Sequence, residues 1–473
     1  MTQMRAIHGD RTRRALHLDE ISVAAMAGQG LAAATLVSIA AVVASCAHYQ
    51  PAPLPTQPRP DPSATTVAEA ALQTDRAWLT PLNIDLSQAL TPDQLAVIAV
   101  IANPDLRSER ARLGVAEAQV FAAGLLPDPQ FSLNLDRPTA PQLVTSIAGG
   151  LGMDISSFAM RPLQQRLARA AREQVRLDLA WQEWQVAGQA RLLAARERGF
   201  ERVYRLTLDA SITAADTLAR TLRAVGRGDL SAGDLEARRI SAADLADRAR
   251  VAERELQAAR LDLRAVLGLS PSAELAVADL PSSLRGSPDS VMLIERAYTQ
   301  RLDLAALRAG YDSQDAHLRL ALLQQYPRLN LSLNAARDTG AVRTAGIAVA
   351  FDLPLWNRNR GGIGIQEATR EQLRTEYEAR LFAARATIAT LSAAYGIGLR
   401  QQRELAAQIG QLRGTVAAFE RASARGDIAP VTAEAARQAL TDREIALAAL
   451  GQALAEQYVA LELASGALIE DSK

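Results

Sequence analysis

Few residues in this chain have the types and spacing that chemistry requires. It holds one cysteine, Cys46, and four histidines, His8, His17, His48 and His317. A lone thiol cannot close a disulfide within one chain, and histidines this scattered do not make a Cys/His metal centre. A phosphate-binding P-loop needs a Gly-Lys pair, yet Lys473 is the only lysine. A zinc-protease helix needs paired histidines one helical turn apart, and the chain has no such pair. Gly362-Ile363-Gly364 is a fragment of a dinucleotide fingerprint without its third glycine or a βαβ setting. No catalytic residue, metal ligand or cofactor is expected. Two places remain: Cys46, and the turns around Arg227-Gly228-Asp229 and Arg425-Gly426-Asp427.

Cys46 has an informative setting. Arg11, Arg13 and Arg14 form a basic region, and residues 31–45 are a mostly apolar run that ends in small residues. Such a run is short of the roughly 20 residues that a permanent membrane helix needs, and suits a signal-peptide core. Its end, Val43-Ala44-Ser45-Cys46, resembles the bacterial lipobox, in which cleavage before the cysteine leaves that residue carrying lipid such as palmitate. Residues 1–45 are therefore read as a signal peptide. Residues 46–80 are read as a lipid-anchored spacer, because 51–63 are proline-rich and favour an extended polyproline conformation.

The elements that position the two turns come from an internal duplication. At an offset of 198 residues, Asp105-Leu106 matches Asp303-Leu304, Leu133 matches Leu331, Asp154 matches Asp352, and Gly268 matches Gly466. The triplets at 227 and 425 fall on the same offset, and Glu236-Ala237 matches Glu434-Ala435. One register held over so long a stretch marks a true repeat. It also assigns the Arg-Gly-Asp triplets to inherited turn chemistry rather than to cell adhesion. The repeats are residues 81–270 and 298–468, joined by a linker at 271–297.

Each repeat opens with a helical segment (104–126 and 302–325) and a proline. Two alternating apolar segments follow, near 130–136 and 145–155, and near 328–336 and 343–353. Apolar residues at every second position mark strands with one apolar face. That face comprises Phe131, Leu133, Leu135, Leu151, Met153, Leu329, Leu331, Leu333, Ile347, Val349 and Phe351. Next comes a very long helix, from about Pro162 to Val225 and from about Gly364 to Ser423, and Pro162 suits a first helical turn. At 1.5 Å per residue, about 60 residues reach roughly 90–100 Å, more than a compact domain allows. After the Gly-Asp turns a return helix runs to Gly268 and to Gly466. Ser231 with Asp234 forms a capping-box pattern, and Pro430 fits an N1 position. Trp181 and Trp184 are read as packing residues of the long helix. The low aromatic content, 4%, agrees with helices rather than an aromatic-packed globule.

Formal net charge is zero, from 52 basic and 52 acidic residues, which gives no electrostatic case for a nucleic-acid partner. A sheet with one apolar face and two open edges cannot sit alone in hydrocarbon, where each unpaired backbone group costs several kcal/mol. It must close with strands of other chains, and edge closure alone leaves the copy number open.

Asn103-Pro104-Asp105-Leu106 with its echo Arg301-Leu302-Asp303-Leu304, and the run from Phe351 through Asn357-Arg358-Asn359-Arg360 to Gly361, resemble motifs of the TolC-like outer membrane factor family. The second run is similar to the segment that enters the long helix in channels of heavy-metal cation efflux systems. The resemblance implies a mainly α fold with a small β part: a long α-helical barrel plus four transmembrane strands per chain, a homotrimer completing twelve strands. It implies a passive conduit, not an enzyme, in the bacterial outer membrane and extending into the periplasm. Its partners would be a periplasmic adaptor, a proton-driven inner-membrane pump and outer-membrane lipid, and its cargo metal cations or drugs. The turns correspond to the periplasmic tips, where adaptor contact and gating occur. This makes Arg227, Gly228, Asp229, Asp234, Arg425, Gly426, Asp427 and Glu434 candidate residues, the charged ones as ion pairs that hold the tips closed. The competing reading is a periplasmic coiled-coil scaffold lipoprotein without a pore, which leaves the four alternating segments unexplained.

Overall fold

The computed structural model describes residues 50–57, 61–62, 64–72, 84–85, 87–278 and 286–469. The expected signal peptide and Cys46 lie outside the described residues. Two compact units divide the chain, Met1–Pro60 and Asp61–Lys473. In the first, the described residues are exposed and form neither helix nor strand.

The second unit begins with α1 (Ala64–Leu72), inside the segment expected to be spacer throughout. Val67 and Ala71 are fully buried, so this short helix is part of the core rather than a tether. The chain then forms α2 (Pro92–Ala102), α3 (Pro104–Gly124), β1 (Gln130–Asp136), β2 (Ser146–Asp154), α4 (Ser156–Gly226) and α5 (Ala232–Val266). There follow α6 (Ser290–Gln300), which begins inside the expected linker 271–297, then α7 (Leu302–Leu323), β3 (Leu329–Arg337), β4 (Arg343–Phe351), α8 (Arg360–Ala424) and α9 (Pro430–Ser465). The helix starts follow local chemistry. Thr91 and Gln94 make a reciprocal capping box ahead of α2, Asn103 accepts the N–H groups of Asp105 and Leu106 ahead of α3, and Asp289 caps α6.

The fold is mainly helical with one small antiparallel sheet, ordered β1-β2-β3-β4. Its register separates two faces. Directly paired rows run Phe131–Leu151–Leu333–Ile347 and Met153–Leu331–Val349. The alternate rows include Gln130–Gly152–Ser332–Ala348, Ser132–Gly150–Asn334–Gly346 and Asn134–Ala148–Ala336–Thr344. One face is thus apolar and the other small and polar. Gly150 leaves room on the polar face for its neighbours, since a Cβ there would lie 2.6 Å from Asn334 Oδ1 and 2.8 Å from Ser132 Oγ and those side chains would have to turn away. Along β1 and β4 the sheet has open edges.

The long helices α4 and α8 contain 71 and 65 residues, or roughly 105 and 95 Å at 1.5 Å per residue. α4 starts at Ser156, earlier than the expected Pro162, which lies inside it. Asp154 explains the earlier start: its Oδ1 accepts the Ser156 N–H at 2.8 Å and its carbonyl accepts the Ser157 hydroxyl at 2.6 Å. α8 also starts early, at Arg360. Arg358 and Asn359 precede it in the left-handed region at φ 47 and 52. The Asn359 side chain holds this turn by donating to the Ala321 carbonyl at 2.9 Å and to Gln324 Oε1 at 3.2 Å.

Two equivalent cores lie where the short helices pack on the long and return helices. One gathers Leu95, Ala99, Ala190, Leu263 and Leu267. The other gathers Leu293, Ala297, Ile388, Leu461 and Ala464. α4 also packs along α9, and small residues allow the close approach. A Cβ on Gly188 or Gly199 would collide with the side chains of Leu463 and Gln452. Trp184, 2% exposed, seals the same seam and donates to the Leu463 carbonyl at 3.3 Å. Trp181 lies beneath the Arg301 guanidinium, 4.8 Å from ring centroid to Cζ.

Candidate functional site

The α4–α5 and α8–α9 turns are built alike. Each long helix ends on a glycine in the left-handed region, Gly228 at φ 81 and Gly426 at φ 82. The next N–H folds back on the helix, Asp229 to the Ala224 carbonyl and Asp427 to the Ala422 carbonyl, both at 2.9 Å. This is a Schellman-type end, and the left-handed position is why each triplet has glycine in its centre. The flanking charges then pair within the turn: Arg227 Nε with Asp229 Oδ2 at 2.9 Å, Arg425 Nε with Asp427 Oδ2 at 2.8 Å. All four side chains are more than half exposed. Each pair is therefore worth about 0–1 kcal/mol and shapes its own turn.

The other two candidates lie beyond the triplets, Asp234 on α5 and Glu434 on α9. Asp234 is the reciprocal partner of Ser231 in the cap of α5. The hydroxyl and N–H of Ser231 hold its carboxyl below the ordinary value. Of the residues singled out in the sequence, Glu434 alone is paired across the two turns: its carboxylate lies 3.9 Å from Arg238 on α5, with both side chains less than a quarter exposed. Arg437 on α9 donates to Glu420 Oε1 on α8 at 3.0 Å. Farther along, Arg248 on α5 pairs with Asp442 on α9 at 3.0 Å. Arg238 and Arg248 had no signal in the sequence, because position 436 opposite 238 on the repeat offset is alanine and so gives no matching charge. Between α4, α5 and α9 runs a cleft lined by Asp209, Thr213, Leu245, Glu434, Arg437 and Glu444.

Among the described residues no group of three or more His, Cys, Asp or Glu side chains could hold a metal ion. No described helix is long and apolar enough to cross a membrane. The apolar surface of membrane type is the sheet face, where Phe131 is 73% and Ile347 72% exposed.

A model of the family described as outer membrane efflux protein matches residues 293–467, from α6 to just past α9. The cobalt-zinc-cadmium resistance protein CzcC of Cupriavidus metallidurans is 29% identical over 296 residues, which are 60% of this chain and 68% of that protein. The second half of the chain thus resembles the outer membrane efflux protein family. The fold of this chain is also that of solved channels. OprN, an outer-membrane channel, superposes with a TM-score of 0.69 at 18% identity, covering 88% of this chain and 98% of that one. CusC, described through its folding and transmembrane channel formation, gives 0.67 at 16% identity, covering 83% and 98%. The matching family and these neighbours are efflux proteins and outer-membrane channels rather than enzymes.

Proposed function

We propose that this chain is an outer membrane efflux protein, the passive outer-membrane conduit of a tripartite system. In this reading three copies close a twelve-stranded barrel, and their helices form a tube that reaches into the periplasm. The tube takes cargo from a periplasmic adaptor and a proton-driven inner-membrane pump. Lipid on Cys46 adds an anchor.

The observation that carries the proposal is the four-stranded sheet, with an apolar face and two open edges. In a bilayer those edges must be paired, and copies of the same sheet are the available partners. A scaffold without a pore has no use for such a sheet. The turns at 226–236 and 424–434 are the tips that meet the adaptor, and Arg238–Glu434 and Arg248–Asp442 join the two helical hairpins of one chain.

The cargo we propose is metal cations. The Asn357-Arg358-Asn359-Arg360 motif and the similarity to a cobalt-zinc-cadmium resistance protein support it over drugs. Heat-modifiable trimer migration and ion conductance in planar bilayers test the conduit; absence of both would leave it without support. Deletion in the native host tests the cargo. Lost tolerance to cobalt, zinc or cadmium is expected, whereas unchanged metal tolerance with new drug sensitivity would reassign the cargo to drugs.

A further inference from the structure

The hairpin joining β3 to β4 sets two arginines side by side. Arg337, the last residue of β3, lies directly opposite Arg343, the first of β4. Their row continues through Ile147 to Leu135, so both belong to the apolar face, at the end away from the long helices. Like charges directly opposed on one face destabilise a sheet, since their Cβ atoms are roughly 4.5–5.5 Å apart. Among the described residues no ion pair reaches either guanidinium, and both are exposed. The neighbouring carboxylate, Asp338, is taken up by the turn, its Oδ1 accepting the N–H groups of Gly340 and Val342 at 2.9 Å each. The Asp338 N–H also donates to the Val342 carbonyl at 3.0 Å, which holds the strand ends together and the arginines with them.

Two adjacent guanidinium forks offer parallel donors that match phosphate oxygens, and an anion between them turns repulsion into charge-assisted bonding. Ile147 and Leu135 continue an apolar surface from the same spot. We propose that Arg337 and Arg343 bind the phosphorylated headgroup of an outer-leaflet lipid, with its acyl chains along the Leu135–Ile147 side of the sheet. This rests on the conduit reading, in which the apolar face meets lipid.

The test uses the full-length chain in neutral detergent, with bisphosphorylated lipid A as probe. The dephosphorylated lipid and inorganic phosphate serve as comparisons. Binding by native mass spectrometry should fall about tenfold in R337Q/R343Q, as expected for the loss of charge-assisted bonds. Dephosphorylated lipid should bind both forms alike, inorganic phosphate should not compete, and R337K/R343K should retain part of the affinity. Stability gives an independent sign. Without lipid, R337Q/R343Q should dissociate from trimer at a higher temperature than the unsubstituted chain, because a repulsion is gone; added lipid A should reverse that order.

Equal lipid A binding by the two forms overturns the site, as does full competition by inorganic phosphate. Lower stability of R337Q/R343Q without lipid also overturns it, and assigns the arginines to a carboxylate on a neighbouring copy. Conductance with equal lipid binding sinks the lipid site alone, whereas a chain that never inserts into bilayers sinks the conduit reading with it.

Discussion

Asn103 and Arg301, one repeat apart, make the same contact with different chemistry. Asn103 Nδ2 donates to the Val266 carbonyl at 3.0 Å, and Arg301 donates to the Ala464 carbonyl at 2.9 Å. Those two carbonyls are themselves one repeat apart, each near the end of a return helix. Close by, a Cβ on Gly268 would lie 2.6 Å from the Ala102 carbonyl oxygen, and one on Gly466 would lie 2.9 Å from Arg301 Cγ. The duplication has conserved a joint: the junction between two short helices rests on the end of the return helix. The partners then diverged. Asn103 also caps α3, whereas Arg301 forms a bidentate pair with buried Asp303, at 3.0 and 2.7 Å.

That divergence predicts unequal costs at the two positions. Asn103→Ala removes a cap and should cost about 1–2 kcal/mol. Arg301→Ala leaves Asp303, 5% exposed, with the Leu304 N–H at 3.0 Å and Arg380, the one remaining cation, at the longer distance of 3.4 Å. The loss of one partner from a buried pair typically costs about 3–5 kcal/mol. Thermal denaturation should rank Arg301→Ala well below Asn103→Ala, and equal midpoints would contradict the buried-pair account.

Glycine substitutions should change sign with their surroundings. Ala is better than Gly in an open helix by about 1 kcal/mol, and Gly114 on α3 has nothing within 4 Å of a built Cβ. Gly114→Ala should therefore raise the melting temperature. Gly199→Ala should lower it, because the added methyl meets Gln452 close to its backbone. A rise in both would show that α4 and α9 can separate without cost.

Glu197 should make stability depend on pH in a direction unusual for a carboxylate. It is 5% exposed, and burial pushes its carboxyl above the ordinary value despite Arg260 at 3.3 Å. The folded chain then binds a proton more readily than the unfolded one. As pH falls from the raised value to the ordinary 4.5, this group adds stability, and below that it adds no more. Glu197→Gln removes the cost of the buried charge. At about pH 8 the variant should be at least as stable as the parent, with its relative advantage shrinking as pH falls through that window. A variant advantage that grows on acidification would refute the assignment.

At the tips, charge removal should matter across the hairpins and little within a turn. Arg238→Ala combined with Arg248→Ala breaks both contacts with α9 and should raise single-channel conductance. Arg227→Ala removes a pair worth about 0–1 kcal/mol and should leave conductance near its original value. Identical traces for the two variants would remove Arg238 and Arg248 from any gating role.

Much of this architecture could be read from the residues because it is local or periodic. The strands announced themselves by alternation, the Ser231 cap and Pro430 by position, and the duplication by one offset. What escaped depended on contacts between distant segments. Pro162 reads as a helix start until Asp154 is seen to supply the earlier cap. Arg337 lies just past the expected strand end near 336, and only the hairpin sets it opposite Arg343. The Arg238–Glu434 and Arg248–Asp442 pairs bring together residues almost a whole repeat apart, and no motif encodes them. The helix α1 was hidden by its proline-rich neighbour, although Val67 and Ala71 are spaced to bury one side.

In the proposed conduit the open edges at β1 and β4 also constrain biogenesis. A solitary copy has no resting place in hydrocarbon, because half a seam is always unsatisfied. Insertion and association must then be a single cooperative event, steeply dependent on how many copies arrive together. Outside the bilayer the same edges are templates for runaway strand pairing. A cell that overproduces this protein beyond its insertion capacity should accumulate insoluble β-rich deposits rather than soluble single chains.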